Sequence, residues 1–289
     1  MLKKMHGVVL AGGVAFLALW ISGQCLSGAN RGVYANREAY PSRILQNIGR
    51  VAPSIAWADK SWLGNDTSFT AVKNKIEKQI AAHQPPQTLL EGYREEAQVS
   101  PKDPQKVFAW AYSSRKAINP SMSFDEKTQV GAGVHQALLA VPFPNTYNYA
   151  RMLFLTAEDD HRLVPAGERL LTHDMSDNEV KTRLVNDYSS LIAVEGAYKH
   201  RQNVSAQQRA VTLLDQLVRS DPKNPSYWSL TGLLYSGFYY TGKFRHPENA
   251  RKSIAAYREY LRLAPLSAER RVAVEAVIKE IQEKMEATR

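Results

Sequence analysis

The chain has 289 residues, of which 44% are hydrophobic and 22% charged, with a formal net charge of +9 at pH 7. This balance is typical of a globular protein and excludes an intrinsically disordered chain. Cys25 is the only cysteine, which excludes an internal disulfide and leaves the fold to depend on its core. Basic and acidic residues alternate along the chain, so we expect an anionic membrane surface, an acidic protein or a cell-wall polymer as counterpart and no nucleic acid.

A short basic segment followed by an apolar run begins the chain. The run covers residues 7–23, and this order is typical of export signals and membrane anchors. Three fates stay open, because its length lies between those of cleaved signals and spanning helices: cleavage before Asn30, retention in a membrane, or lipidation at Cys25. We define residues 1–26 as a signal peptide or membrane anchor, with membrane contact through residues 7–26 if it is not cleaved. The predicted location is membrane-anchored or exported, that is, periplasmic or extracytoplasmic.

Residues 27–64 contain many turn formers and show no sustained period, so we predict a linker there. Helical periodicity begins near Thr67, and residues 65–289 are predicted to be helical throughout. Asp103 directly before Pro104 predicts a capped helix start. Three S-x-x-E/Q boxes predict further starts, at Ser123 with Glu126, Ser176 with Glu179, and Ser205 with Gln208.

The chain ends in a predicted amphipathic helix at 267–287. One face carries Val274, Val277, Ile278, Ile281 and Met285. The other carries two pairs of opposite charge four residues apart, Glu275 with Lys279 and Glu280 with Lys284. We expect this helix to shield the preceding helices from water, and a partner-binding helix is the alternative.

Residues 224–265 carry aromatic and small residues at fixed spacing. The first part has the order W-x2-T-G-x2-Y, at Trp228, Thr231, Gly232 and Tyr235. The second part has S-x3-Y at Ser253 and Tyr257, and Pro265 closes the unit. This order resembles a tetratricopeptide repeat, in which W-x2-L-G-x2-Y is followed by A-x3-F and P. The resemblance is clearest in residues 206–265 and degenerate elsewhere, apart from a Pro-to-Trp offset of six residues that recurs at Pro104 and Pro222.

The resemblance implies an all-α solenoid of helical hairpins. Six residues are implied to pack the repeat: Trp228, Gly232, Tyr235, Ser253, Tyr257 and Pro265. Members of this family bind a peptide or another protein on the first helix of each pair, which implies a protein-binding groove. In this sequence the groove would be lined by Ser229, Leu233, Ser236, Tyr239, Tyr240, Lys243 and Arg245.

The function that these observations favour is a non-enzymatic scaffold or adaptor for protein–protein interaction. A membrane-anchored regulator with cytosolic repeats is one alternative. An exported enzyme acting on cell-wall glycan is another, with carboxylates such as Glu91, Glu158 and Asp187 in its site. The cluster 158–161 lacks the histidine spacing of a metal site, so we expect no metal, no cofactor and no catalytic residue.

Overall fold

The computed structural model describes residues 57–58, 66–118, 122, 124–157, 161–199, 204–240 and 247–287. These residues are helical and contain no β-strand, so the all-α prediction is confirmed for them. The described residues divide into two compact units, one within Ser42–Val180 and the other within Lys181–Arg289. The predicted signal or anchor segment lies outside the described residues. Within the described part, no helix is both long and apolar enough to cross a membrane.

The unit of residues 42–180 consists of short helices joined by tight turns. In chain order its helices are α1 (Thr67–Ala81), α2 (Pro86–Val99), α3 (Pro104–Ala117), α4 (Phe124–Gly131), α5 (Val134–Ala140), α6 (Tyr147–Thr156) and α7 (Val164–His173). A 3-10 turn at His161–Leu163 precedes α7, and the next helix, α8 (Asn178–Lys199), starts in this unit. The predicted helix start near Thr67 is therefore confirmed. From the predicted linker, Trp57 and Ala58 are described and buried, and Arg169 donates a hydrogen bond of 2.9 Å to the Ala58 carbonyl.

Helix α3 is the centre of this unit, since α1, α2, α4, α5 and α6 all contact it. Its start was predicted correctly: the Asp103 carboxylate accepts hydrogen bonds from the backbone N–H groups of Gln105 at 2.9 Å and Lys106 at 3.3 Å. Pro104 takes the first helical position, where a backbone N–H would have no partner within the helix, so the lack of an N–H in proline costs nothing. Buried residues, Ala111 and Phe108 among them, lie on every side of α3, as expected of a helix enclosed by others.

Three aromatic rings fix the arrangement of α1, α3 and α6. Phe69 packs edge-on against Phe108, with ring centroids 5.1 Å apart, and against Tyr149 at 5.5 Å. Each such pair contributes about 0.5–1.5 kcal/mol beyond the burial of its area. The Tyr149 hydroxyl donates a 3.0 Å hydrogen bond to the Leu138 carbonyl, which satisfies its polar group in the interior. These contacts set the positions of the helices that carry the pocket described below.

The helices of the 181–289 unit contact one another in chain order. After α8 they are α9 (Val204–Ser220), α10 (Pro225–Tyr240), α11 (Pro247–Leu263) and α12 (Ala268–Glu286). Helices α10 and α11 approach each other closely at Gly232: a Cβ atom placed on this residue would lie 2.7 Å from the Tyr257 ring. The Ser253 hydroxyl donates a 2.8 Å hydrogen bond to the Gly232 carbonyl in the same contact. A missing side chain on α10 thus permits the close approach of α11.

Helix α12 covers α11 at the end of the described chain. The Ser267 hydroxyl accepts a hydrogen bond from the Arg270 N–H at 3.3 Å and caps the helix, which lies within the predicted range 267–287. The apolar face is confirmed, with Val274, Val277, Ile278 and Ile281 buried and Met285 partly buried. Lys284 pairs with Glu280 as expected. Lys279 instead pairs with Glu283, at 3.7 Å, and not with Glu275, because a residue on a helix has a neighbour four positions away on either side.

Two predicted helix starts are wrong. Helix α8 is capped by Asp177, whose carboxylate accepts hydrogen bonds from the N–H groups of Glu179 at 3.1 Å and Val180 at 3.0 Å. The Ser176 hydroxyl donates to Asp174 instead, since a carboxylate directly before the helix is the stronger acceptor. Helix α9 begins at Val204, which places Ser205 inside the helix. The third start, at Ser123, lies outside the described residues.

Only one unit has the sequential contacts of a helical-repeat array. In a solenoid each repeat contacts its neighbours alone. Helices α9 to α12 follow that order, whereas α3 has five helices around it. The 42–180 unit is therefore arranged around a central helix, and the predicted solenoid through residues 65–289 is not confirmed.

Candidate functional site

The residues predicted to pack the repeat lie on or beside α10 and α11. Gly232, Ser253 and Tyr257 meet in the close contact between these helices. Trp228 packs against the core formed by α11 and α12, and its indole N–H donates a 2.8 Å hydrogen bond to the Pro222 carbonyl. Tyr235 is half-buried, with the Lys252 ammonium 5.3 Å from its ring centroid. Pro265 follows the end of α11.

The residues predicted to line a groove are placed differently from one another. Ser229 and Ser236 are 3% and 4% exposed, so these two side chains lie in the interior and do not face a partner. The reason is the helical periodicity, which places both residues on the face of α10 that packs against the rest of the unit and not on a neighbouring, accessible face. Leu233 is half-buried. Tyr239 and Tyr240 are the last two residues of α10, and their side chains are not described. Lys243 and Arg245 lie outside the described residues.

The three acids considered for an enzyme are not brought together in the described part of the chain. Glu91 is exposed on α2, and Asp187 is buried on α8, where Arg183 pairs with it at 3.1 Å. Glu158 lies outside the described residues. No group of three or more His, Cys, Asp or Glu side chains able to hold a metal ion occurs in the described part of the chain.

A polar pocket in the 42–180 unit is the site that sequence reasoning missed. Its cavity has a volume of about 100 Å³. Helices α1, α3 and α6 and the first turn of α8 supply its lining, which consists of Lys73, Glu77, Tyr112, Arg115, Lys116, Arg151 and Glu179. Four of these side chains are cationic and two are acidic, so the lining carries a formal excess of positive charge.

Arg151, whose side chain is 17% exposed, lines this pocket and is bound by two acids; we refer to it as the floor of the pocket. Its guanidinium donates to both carboxylate oxygens of Asp177, and one nitrogen also reaches Glu179 Oε2 at 3.0 Å. Burial would lower the pKa of Arg151, but the hydrogen bonds and the charge of Asp177 outweigh it and hold the pKa above its usual value. Tyr147 donates a further 3.2 Å bond to Asp177. The cation is therefore fixed in position and permanently charged.

Both acids on Arg151 are held in their ionised form. Burial alone would raise the pKa of Asp177, but the hydrogen bonds and charge of Arg151 outweigh it and lower the pKa. Burial likewise acts upward on the pKa of Glu179, and the charges of Arg115 and Arg151 bring it below its usual range. Arg115 lies 3.5 Å from Glu179 and also donates a 3.1 Å hydrogen bond to the Leu155 carbonyl.

The wall of the pocket is built around Tyr112. The Tyr112 hydroxyl donates a 2.5 Å hydrogen bond to Glu77 on α1. Burial and this carboxylate raise the pKa of the Tyr112 phenol. The Lys116 ammonium sits 5.3 Å from the centroid of the same ring, within the range of a cation–π contact. The ring therefore links an acid from α1 to a cation from α3.

The described residues form an all-helical structure with a helical hairpin in one unit and a charged pocket in the other. Three comparisons with known proteins were made, and none found a similar protein. A scan against protein-family models found no match, and searches of the curated proteins and of the solved structures found none either.

Proposed function

We propose that this protein is a non-enzymatic scaffold or adaptor of the tetratricopeptide type, which binds a protein or peptide. The observation that carries the proposal is the contact between α10 and α11, where the Tyr257 ring occupies the space beside Gly232. A small residue facing a large ring across a helical hairpin is what the family pattern requires. The sequential contacts of α9 to α12 and the covering of α11 by α12 agree with it.

The electrostatics of the pocket do not favour the alternative of a two-carboxylate glycan hydrolase. A glycan hydrolase of the two-carboxylate kind needs one acid that stays protonated at neutral pH, with a raised pKa. Asp177 and Glu179 have lowered pKa values because arginines bind them, so both are poor proton donors. Their role in this proposal is to position Arg151 and Arg115.

Residues 1–26 are proposed to export the protein or to anchor it in a membrane, with the helical units on the outer side. The support is the basic and then apolar order of the segment. Mass spectrometry of the mature N-terminus tests this part: an intact Met1 or Leu2 would rule out both cleavage and lipidation. The segment would then act as the membrane anchor and not as a cleaved export signal.

The scaffold proposal is tested by affinity capture with a matched pair of variants. Leu233→Glu places a charge at the half-buried position of the proposed groove, and Ser226→Glu places the same charge at an exposed position of the same helix. We expect the wild type and Ser226→Glu to retain the same partner proteins after cross-linking, and Leu233→Glu to lose them. Far-UV circular dichroism must show equal helix content, with Leu233→Ala as a milder variant if it does not. A partner set unchanged by Leu233→Glu would contradict the groove, and the capture of no specific protein by the wild type would contradict the scaffold.

A further inference from the structure

We infer that the pocket of the 42–180 unit binds a compact oxyanion, a carboxylate or phosphate group. This site is separate from the proposed groove on α10, and the inference goes beyond the scaffold function. It is based on the charge left in the pocket after its internal contacts are made, and on the size of the cavity.

The acids of the pocket are engaged by groups of the protein itself. Glu179 accepts from Arg151 at 3.0 Å and has Arg115 at 3.5 Å. Glu77 accepts the short hydrogen bond of the Tyr112 hydroxyl. The hydrogen bond from Tyr112 leaves the charge of Glu77 in place, but in the described part of the chain neither carboxylate forms an ion pair with a lysine of the lining. With Asp177 counted beside Arg151, three acids face four cations, so one positive charge is left over.

Two lysines supply the remaining positive charge. Lys73 lines the pocket from α1, and Lys116 lines it from α3, where its ammonium group contacts the Tyr112 ring. In the described part of the chain, neither ammonium group has an ion pair or a hydrogen bond. Lysine ammonium groups and an arginine around one cavity are the donors that bind carboxylate and phosphate oxygens. An incoming oxyanion would offset the excess charge of the lining.

The dimensions of the cavity restrict the ligand to a small group. Its volume of about 100 Å³ is well below the roughly 300–1,000 Å³ of pockets that enclose a drug-sized ligand. A carboxylate or a phosphate group fits this space, whereas a whole nucleotide or a sugar chain does not. A larger ligand would insert only its anionic group. The fixed floor at Arg151 limits how far that group can enter.

Titration of the full-length protein with inorganic phosphate tests the site. Binding is followed by the broadening of the phosphate resonance in phosphorus NMR, at constant ionic strength adjusted with chloride. The test variant carries both Lys73→Gln and Lys116→Gln, and the matched control is Lys78→Gln, an exposed lysine on α1 that does not line the pocket. We expect the double variant to bind at least about tenfold more weakly and the control to bind like the wild type, because charge-assisted hydrogen bonds are removed only in the former. The single variant Lys116→Gln should lie between them.

Acetate added as a competitor identifies the preferred oxyanion. Displacement of phosphate by acetate at comparable concentration shows that the pocket takes carboxylates as well, as an acidic side chain of a protein would provide. Phosphate binding that acetate does not reduce shows preference for phosphate. Equal broadening in the wild type, the double variant and the control would mean non-specific attraction to a basic protein, and would overturn the inference. The absence of broadening in the wild type would also overturn it.

Discussion

Replacing Gly232 by alanine tests the contact that carries the proposed architecture. The new methyl group would lie 2.7 Å from Cδ1 and Cε1 of Tyr257, closer than real carbon contacts allow. The ring is fully buried and cannot move into solvent. Either α10 and α11 separate or the ring turns against its other neighbours. Both responses destabilise the 181–289 unit.

Two opposing effects determine the magnitude. Alanine is favoured over glycine inside a helix by about 1 kcal/mol. Overpacking a well-filled interior costs about 1–3 kcal/mol. The net loss in free energy of unfolding is therefore roughly 0–2 kcal/mol for Gly232→Ala. Gly92→Ala is the matched control, because Gly92 also lies inside a helix, α2, and its added methyl group meets nothing within 4 Å. That control should gain about 1 kcal/mol.

Urea denaturation followed by circular dichroism measures both changes, and a double-mutant cycle isolates the contact. Tyr257→Leu removes the ring, so Gly232→Ala in that background should cost less than alone, with a coupling free energy of about 1–3 kcal/mol. A stabilisation by Gly232→Ala equal to that of Gly92→Ala would refute the close packing of α10 on α11. Additive effects of the two substitutions in the cycle would refute it as well.

Substitutions at three further positions test contacts that lie within one unit or the other. Asp177→Asn keeps an N-cap for α8 but removes the charge paired with buried Arg151, so urea denaturation at pH 7 should show a loss of about 3 kcal/mol. The pKa of Asp177 is lowered in the folded state, so the stabilisation by its charge is present above its ordinary pKa and is lost as the pH falls below about 4. The wild type should therefore lose more free energy of unfolding than the variant between pH 7 and pH 3. Parallel losses would contradict this origin. Asp103→Ala should cost about 1 kcal/mol and Asp103→Asn only a fraction of it, as thermal unfolding would show; equal costs would argue against capping. Ser253→Ala should cost about 1 kcal/mol by removing the bond to the Gly232 carbonyl, with faster amide hydrogen exchange in α10 and α11; unchanged exchange would argue that this bond is not formed in solution.

The parts of the fold that could be predicted are those encoded by neighbouring residues. The start of α3 follows from Asp103 and Pro104, and the start of α12 follows from Ser267. Each requires only a polar side chain beside free N–H groups a few residues away. The start of α8 was misplaced because two candidate caps, Ser176 and Asp177, are adjacent, and periodicity does not distinguish them.

The Pro-to-Trp offset is a poor signal of internal repetition. Pro104 begins α3 and Trp110 is its seventh residue, whereas Pro222 precedes α10 and Trp228 is that helix's fourth residue. The equal Pro-to-Trp offset therefore joins positions that are not equivalent. The sequence P-K-D/N-P is the better marker, because it occurs at residues 101–104 and 222–225 and forms the same turn in both places. Asp103 and Asn224 each donate their own N–H to a carbonyl three residues earlier and cap the helix that follows.

The pocket could not be predicted, because its side chains come from four helices that are distant in sequence. Lys73 and Glu77 on α1 have the pattern of an ordinary solvated face. One signal was nevertheless available in α6, where Arg151 stands within an otherwise apolar run, Tyr149 to Leu155, whose other members are all buried. A charge in that position requires a counter-charge from elsewhere in the fold. Asp177 and Glu179 supply it.

The ion pair on the floor of the pocket is difficult to explain by stability alone. A buried ion pair is often no more stabilising than apolar side chains of the same volume, because removing two charges from water offsets their attraction. An arginine and a carboxylate 17% and 6% exposed would therefore be poor choices if their only task were to fill the space between α6 and α8. What they provide is a cation that is fixed and cannot lose its proton, next to an acid, Glu179, that is itself held by Arg115. Such preorganised charge reduces the rearrangement needed when an anion enters, which is the property expected of a recognition site.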